Sequence, residues 1–390
     1  MQPFPLSVVM GAIAGYMALY APQPLLPWLA ARYDLSPAMP GLLVSIVLAG
    51  LAVAPLVLGR LTRALSPTLI LRVVWLALAL SCVWLALDLG WAGWVSGRIL
   101  QALLLPVLFS VSMARVSALA PAALRPGWMA TFVAATILGG FLGRAVMGAA
   151  FTLSDWRYFY VGLAALLVLL ACNPRGLHDH CPAASQEVGF DLVSVRRMLS
   201  RPRQRYPLMA VMIAFFCFQA VLNVLPFRVR EISPGSSELL IGLMYGGYAL
   251  GLVASLVAPV SVRYPGLYRW RYTAGMLVYG CALTGLMVPS LGVIFLALAL
   301  VCIAMFWVHS HAMADFTARI REARLSSAVY VSGYYVAGTV GSVAPGWVYA
   351  HSGWRMMLLV LLTILVLAAV TLGIWEWGRL RREDGRRHPV

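Results

Sequence analysis

A glycine-rich stretch that occurs twice, half a chain apart, restricts this sequence more than any other feature. The first copy runs from Gly139 and Gly140 through Gly143, Arg144 and Gly148 to Trp156-Arg157; the second runs from Gly338 through Gly341 and Gly346 to Trp354-Arg355. In each copy 13 residues separate the central glycine from the tryptophan, and the copies lie 198 residues apart in a chain of 390. Small residues four apart let two helix backbones approach closely inside a bilayer. Trp-Arg at the end of an apolar run fits a helix entering the headgroup layer. A repeat at half the chain length signals a duplicated fold rather than a solenoid.

The chain is 62% hydrophobic and only 11% charged, against about 25% charged residues in a soluble domain, so lipid is its main solvent. Apolar runs of roughly 17–25 residues cross a bilayer at about 1.5 Å per residue. They fall near 8–30, 41–59, 69–88, 93–114, 127–150, 157–172, 208–230, 238–260, 272–288, 292–316, 325–349 and 354–377. The predicted fold is an all-α membrane protein: twelve transmembrane helices in two pseudo-symmetric six-helix bundles. Residues 1–172 form the N-terminal bundle, 173–207 a cytoplasmic linker with a short surface helix, 208–378 the C-terminal bundle and 379–390 a cytoplasmic tail.

All 29 basic residues are arginines, giving a formal net charge of +16. They lie between apolar runs and build no basic face for nucleic acid. Topology and anionic headgroups account for them better. Loops after even-numbered runs carry Arg60, Arg63, Arg72, Arg115, Arg125, Arg175, Arg196, Arg197, Arg201, Arg203, Arg205, Arg263, Arg269, Arg271, Arg319, Arg321 and Arg324, whereas the opposite loops hold few. The positive-inside rule then puts both termini in the cytoplasm. The N-terminus has no basic segment before its apolar run and does not read as a cleavable signal. The six scattered cysteines, without a C-x-x-C, fit apolar packing rather than a metal site or a disulfide framework.

The duplication extends further. Leu25-Leu26-Pro27-Trp28 returns as Val224-Leu225-Pro226-Phe227, and Gly41-Leu42-Leu43 with Gly50-Leu51 returns as Gly242-Leu243-Met244 with Gly251-Leu252. Six spans is an even number, so the copies share one orientation, a standard plan of secondary transporters with a site at the repeat interface.

On these residues the chain resembles the major facilitator superfamily over essentially its whole length, and within it the twelve-span drug and metabolite efflux branch. Arg98-Ile99-Leu100-Gln101-Ala102 resembles that branch's R-x-x-Q-G motif, with Ala102 in place of glycine, and Gly139–Gly148 resembles its glycine-rich antiporter motif, with Arg144 where many relatives have an apolar residue or proline. Gly59-Arg60-Leu61-Thr62-Arg63 keeps the glycine and leucine of the loop motif after span 2 and replaces its acidic residue by a basic one. The resemblance implies a monomeric inner-membrane transporter of bacterial type, coupled to protons, with no cofactor.

A buried ionisable side chain is expensive in lipid, so each one inside a span is a candidate site. Arg98 and Gln101 point to substrate binding or proton coupling; a headgroup-snorkelling Arg98 is the alternative. Arg144, stranded mid-span, would cost about 2.5–3.5 kcal/mol or more, so it is expected to face an aqueous cavity or a carboxylate; a purely structural pairing is the alternative. If both arginines line the cavity, an anionic or strongly hydrogen-bonding substrate follows. His311 and Asp315, four apart, share a helical face near His309 and form either a proton relay or, through Arg319, a plain ion pair. Tyr16, Tyr20 and Gln23, with Gln219, Asn223, Tyr330 and Tyr334, either line the cavity or bond between helices. No set of ligands suggests a metal.

The expected activity is proton-coupled export of a small organic molecule such as a polar metabolite, siderophore or drug. Import of an anionic metabolite or siderophore by the same fold is the alternative. There is no P-loop, and a Ser310–His309–Asp315 triad lacks a nucleophile elbow, so an enzyme is not expected. A non-transporting receptor would normally bring a soluble sensing domain.

Overall fold

The computed structural model describes residues 4–61, 66–173, 192–317 and 323–387, all in helices and short connections. Much of the central linker (174–191), the charged segment 62–65 with Arg63, and 318–322 with Arg319 and Arg321 lie outside the described residues.

The helices follow the apolar runs. They are α1 (Leu6–Tyr20), α2 (Leu26–Arg32), α3 (Leu42–Leu61), α4 (Pro67–Ala86), α5 (Gly90–Leu119), α6 (Arg125–Leu153) and α7 (Arg157–Cys172). After the linker come α8 (Leu192–Leu199), α9 (Pro202–Ile232), α10 (Glu238–Met244), α11 (Tyr248–Val257), α12 (Pro265–Arg269), α13 (Arg271–Gly285), α14 (Leu291–Thr317), α15 (Ala323–Gly341) and α16 (Ala344–Arg387). Eight stretches are long and apolar enough to cross a membrane, and one of them, Leu325–Arg381, holds two spans. The shorter Met39–Pro55 and Arg157–Cys172, together with α13, bring the total among the described residues to twelve.

Local chemistry sets the ends and breaks. Ser66 and Ser237 cap α4 and α10, each hydroxyl accepting the backbone N–H three residues on, at 3.2 Å, as good N-caps do. The first apolar run is not one helix: it breaks between Tyr20 and Leu26, around a 3₁₀ turn at Gln23–Leu25. Pro22 and Pro24 have no N–H to continue the ladder. The run near 238–260 likewise divides at Tyr245–Gly247, where consecutive glycines weaken a helix by about 1 kcal/mol each. Inside α16 the chain turns at Gly353, whose φ of +76° suits glycine and strains other residues.

The chain forms two compact units, Met1–Val188 with Leu222–Gly246, and Gly189–Val221 with Gly247–Val390. In the first, α1 packs on α6, α3 on α5, α4 on α7, and α10 on α6. In the second, α13 packs on α14 and α16, and α11 on α14. The duplicated glycines do equivalent work in each. A methyl group on Gly143 would lie 2.5 Å from the carbonyl oxygen and 2.7 Å from the Cα of Met17 on α1; one on Gly341 would lie 2.9 Å from the Cα of Phe216 on α9. These are backbone-to-backbone crossings that admit no side chain.

At the arginine-poor end of the first unit, Asp88 is nearly enclosed and accepts from Arg32 at 2.5 Å, Tyr33 at 2.7 Å and Arg157 at 3.1 Å. Asp155 caps α7 by accepting the Arg157 backbone N–H at 2.8 Å. That bond, with the Arg157 guanidinium, holds the half-buried Asp155 carboxyl below the usual carboxylate range.

Candidate functional site

Two polar clusters in the first unit take up most of its candidate residues. In the first, Arg98 is fully enclosed. Its Nε donates to Leu43 O at 2.6 Å, one terminal nitrogen to Ala18 O at 2.8 Å and to Gln101 Oε1, and the other to Leu19 O at 2.6 Å. Gln101 passes the chain on to the Ser81 hydroxyl at 3.2 Å. The broken first span explains the carbonyls. Pro22 cannot supply the N–H that would close a helical bond to Ala18 O, and the guanidinium supplies one instead. The planar fork of Arg suits several acceptors held on three helices, α1, α3 and α5. The expectation of a cavity-lining Arg98 is therefore set against a side chain with no exposure and four acceptors.

The second cluster is built on Arg144, also fully buried. Its Nε donates to Gln23 Oε1 at 2.5 Å and a terminal nitrogen to Gly140 O at 2.7 Å. The Tyr20 and Tyr245 rings lie over the guanidinium, 4.1 and 4.6 Å from their centroids, within cation–π range. Gln23 in turn donates from Nε2 to Asn223 Oδ1. Residues of the two sequence repeats, Gln23 and Asn223, thus meet through their side chains within one compact unit. Tyr16 stands apart, stacked on Phe109 with centroids 4.1 Å apart. The partners of Arg144 thus include an amide, a backbone carbonyl and two aromatic rings.

The second unit holds the remaining candidates. On α14, half-buried His309 places Nδ1 3.1 Å from the Tyr330 hydroxyl and its ring 5.0 Å from that of Tyr334. Tyr334 stacks on Phe215 at 3.7 Å. His311 and Asp315 share a helix face as expected, yet their bonds go elsewhere. The His311 Nε2 meets the Ser261 hydroxyl at 3.2 Å. Asp315 accepts from both the Nε and a terminal nitrogen of Arg271, and from the Tyr272 hydroxyl at 2.7 Å. Gln219 is fully buried, and neither end of its amide has a hydrogen-bond partner among the described residues. No group of three or more His, Cys, Asp or Glu side chains fit to hold a metal occurs among the described residues.

Three contacts were not foreseen from sequence. Tyr245, whose hydroxyl donates to Leu222 O at 2.7 Å, is the second ring over Arg144. Arg271 reads as a topological loop charge, and only the fold shows it pairing with Asp315, 44 residues away. Glu376 reads as a span-end acid but is fully buried, accepting the Tyr272 and Thr273 backbone N–H groups and the Thr273 hydroxyl. It caps the first turn of α13 from another helix, where the N-terminal dipole favours an anion.

The fold has close relatives in shape. A bacterial homolog of the human lysosomal transporter Spinster, in an inward-facing and unoccupied conformation, shares 13% identity over 98% of each chain, with a TM-score of 0.79. The human organic anion transporter MFSD10 (TETRAN) shares 18% identity over 95% of this chain and 99% of its own, with a TM-score of 0.66. The xylose transporter XylE of E. coli, partially occluded and inward open, shares 16% over 94% and 95%, with a TM-score of 0.65. At these identities the likeness is one of fold. Comparison with curated proteins gives no match. The sequence pattern of the Major Facilitator Superfamily, however, matches residues 8–314. Most of the chain carries that pattern and its described residues have the corresponding all-helical, twelve-span fold, so the chain belongs to the major facilitator superfamily of membrane transporters.

Proposed function

We propose that the protein is a proton-coupled exporter of a small organic molecule, resident as a monomer in the bacterial inner membrane with both termini in the cytoplasm. Residues 1–172 and 208–378, the two sequence repeats, are the bodies whose rocking would expose the substrate alternately, joined by the linker 173–207. The observation that carries proton coupling is His309. It is a titratable side chain on a membrane span, half-buried, bonded to a neutral tyrosine and in no ion pair among the described residues. By contrast, Asp315 is committed to Arg271 and Glu376 to the first turn of α13. An imidazole is a side chain that can both accept and release a proton, which is what a coupling residue must do.

The substrate surface we assign to the aromatic wall beside it, Tyr330, Tyr334 and Phe215, with the unsatisfied Gln219 amide on the same unit. Because Arg98 and Arg144 are enclosed with partners of their own, a negative charge on the substrate is no longer required. Import, the alternative direction, is separated by phenotype: expression of an exporter confers resistance, and expression of an importer causes accumulation.

The test is transport in proteoliposomes carrying an imposed pH gradient, screened against efflux drugs, organic acids and siderophores. A transported compound should dissipate the gradient in the wild type. His309→Gln should abolish gradient-driven transport while substrate counterflow, which needs no net proton movement, persists. Gradient-driven transport at the wild-type rate in His309→Gln would remove this histidine from the coupling pathway.

A further inference from the structure

The arginine-rich end of the second unit carries a feature that transport does not use. Two arginine–aromatic stacks meet there. In one, the Tyr206 ring of α9 stacks on Trp375 of α16 with centroids 5.1 Å apart, Arg205 lies over Tyr206 at 5.0 Å and Arg379 over Trp375 at 5.6 Å. In the other, Trp270 stacks on Trp377 at 6.2 Å and Arg381 lies over Trp377 at 5.0 Å. The Arg379 Nε is buried without a hydrogen-bond partner among the described residues.

The nearby carboxylates are already committed. Glu376 is fully buried against the first turn of α13, and Asp315 is bound by Arg271 and Tyr272. Beyond Arg381 the chain adds Arg382, Arg386 and Arg387 against Glu383 and Asp384, a further net +1 (three minus two). Immediately before α9, the short helix α8 exposes Arg196 and Arg197. The rim is therefore cationic without compensating acids among its described side chains.

Below it runs an apolar path. Leu367, Val370, Ile374 and Trp377 are all exposed along α16, at steps of three, four and three residues, and the next step of four reaches Arg381. These spacings keep the residues on one helix face. Such a face suits an acyl chain, and the tryptophan at its end suits the headgroup layer. We propose that this rim is a binding site for an anionic phospholipid. Its acyl chain follows Leu367–Trp377, and its phosphate is held by Arg381 and Arg379, with Arg205 adding charge. Basic rims at the ends of membrane helices attract anionic lipids, and guanidinium groups pair readily with phosphate.

The test compares the full-length protein in phosphatidylcholine nanodiscs with and without phosphatidylglycerol. Phosphatidylglycerol should raise the unfolding midpoint by about 2–4 °C, as expected for a ligand that binds only the folded state, and the shift should shrink with added salt. Native mass spectrometry should show phosphatidylglycerol retained in preference to phosphatidylcholine. The triple variant Arg205→Gln, Arg379→Gln, Arg381→Gln should lose both effects, whereas Arg355→Gln, an exposed charge at the other end of α16, should keep them. Equal midpoints in the two lipid compositions, or equal retention of the two lipids by the wild type, would overturn the proposal even if the triple variant failed to fold. So would an equal shift from inorganic phosphate added to phosphatidylcholine nanodiscs.

Discussion

Gly143→Leu should yield no folded protein, and Gly341→Leu should fail in the same way. At Gly143 the obstacle to a side chain is the α1 backbone itself: the first added carbon would sit 2.5 Å from Met17 O and 2.7 Å from its Cα. At Gly341 the Cα and carbonyl carbon of Phe216 would lie at 2.9 and 3.0 Å. Overpacking a core with flexible neighbours costs about 1–3 kcal/mol. Here the neighbour is a helix backbone, which yields only by separating the pair, and that loses the whole α1–α6 or α9–α15 interface. Gly140→Ala is the control, because its added methyl would meet the Tyr20 ring at 3.4 Å, an ordinary van der Waals contact. Fluorescence-detected size-exclusion chromatography of detergent extracts reads the outcome. A monodisperse peak of wild-type height for either leucine variant would show that the close crossings are dispensable.

That both glycines were visible in the sequence is instructive. A close helix crossing is a steric requirement imposed at one residue, so it leaves its mark at that residue and again 198 positions later. The spans were legible for the same reason, since each must be apolar along its own length. Partners chosen across the fold were not. His311 and Asp315 satisfy the four-residue spacing of a helical pair, but Arg271 outcompetes the histidine because a guanidinium is always charged and can present two donors to one carboxylate. Nothing local to Arg271 distinguishes it from the topological arginines around it. Arg98 was legible as important but not in what it does, because its acceptors are mostly backbone carbonyls, which every residue has.

Arg98→Met, similar in length and without donors, should destabilise the protein by about 3 kcal/mol or more. Each buried acceptor left unsatisfied costs about 1–3 kcal/mol, and the substitution strands Ala18 O, Leu19 O and Gln101 Oε1 while removing a bond to Leu43 O. Arg98→Lys should recover only part of this, since one ammonium cannot reach acceptors spread over α1, α3 and α5 as the guanidinium fork does. The decisive comparison is with Pro22→Ala. Proline at that position denies Ala18 O its helical N–H, which is the vacancy Arg98 fills; alanine restores the donor. In the double variant Pro22→Ala, Arg98→Met, the loss from Arg98→Met should be smaller than in the parent, a coupling of about 0.5–3 kcal/mol between residues sharing one acceptor. Thermal unfolding of all four proteins measures it. Additive losses would detach Arg98 from the break in the first span. If Arg98→Met unfolded at the wild-type temperature but lost substrate affinity, the arginine would serve the transport cavity rather than the helix that the two prolines interrupt.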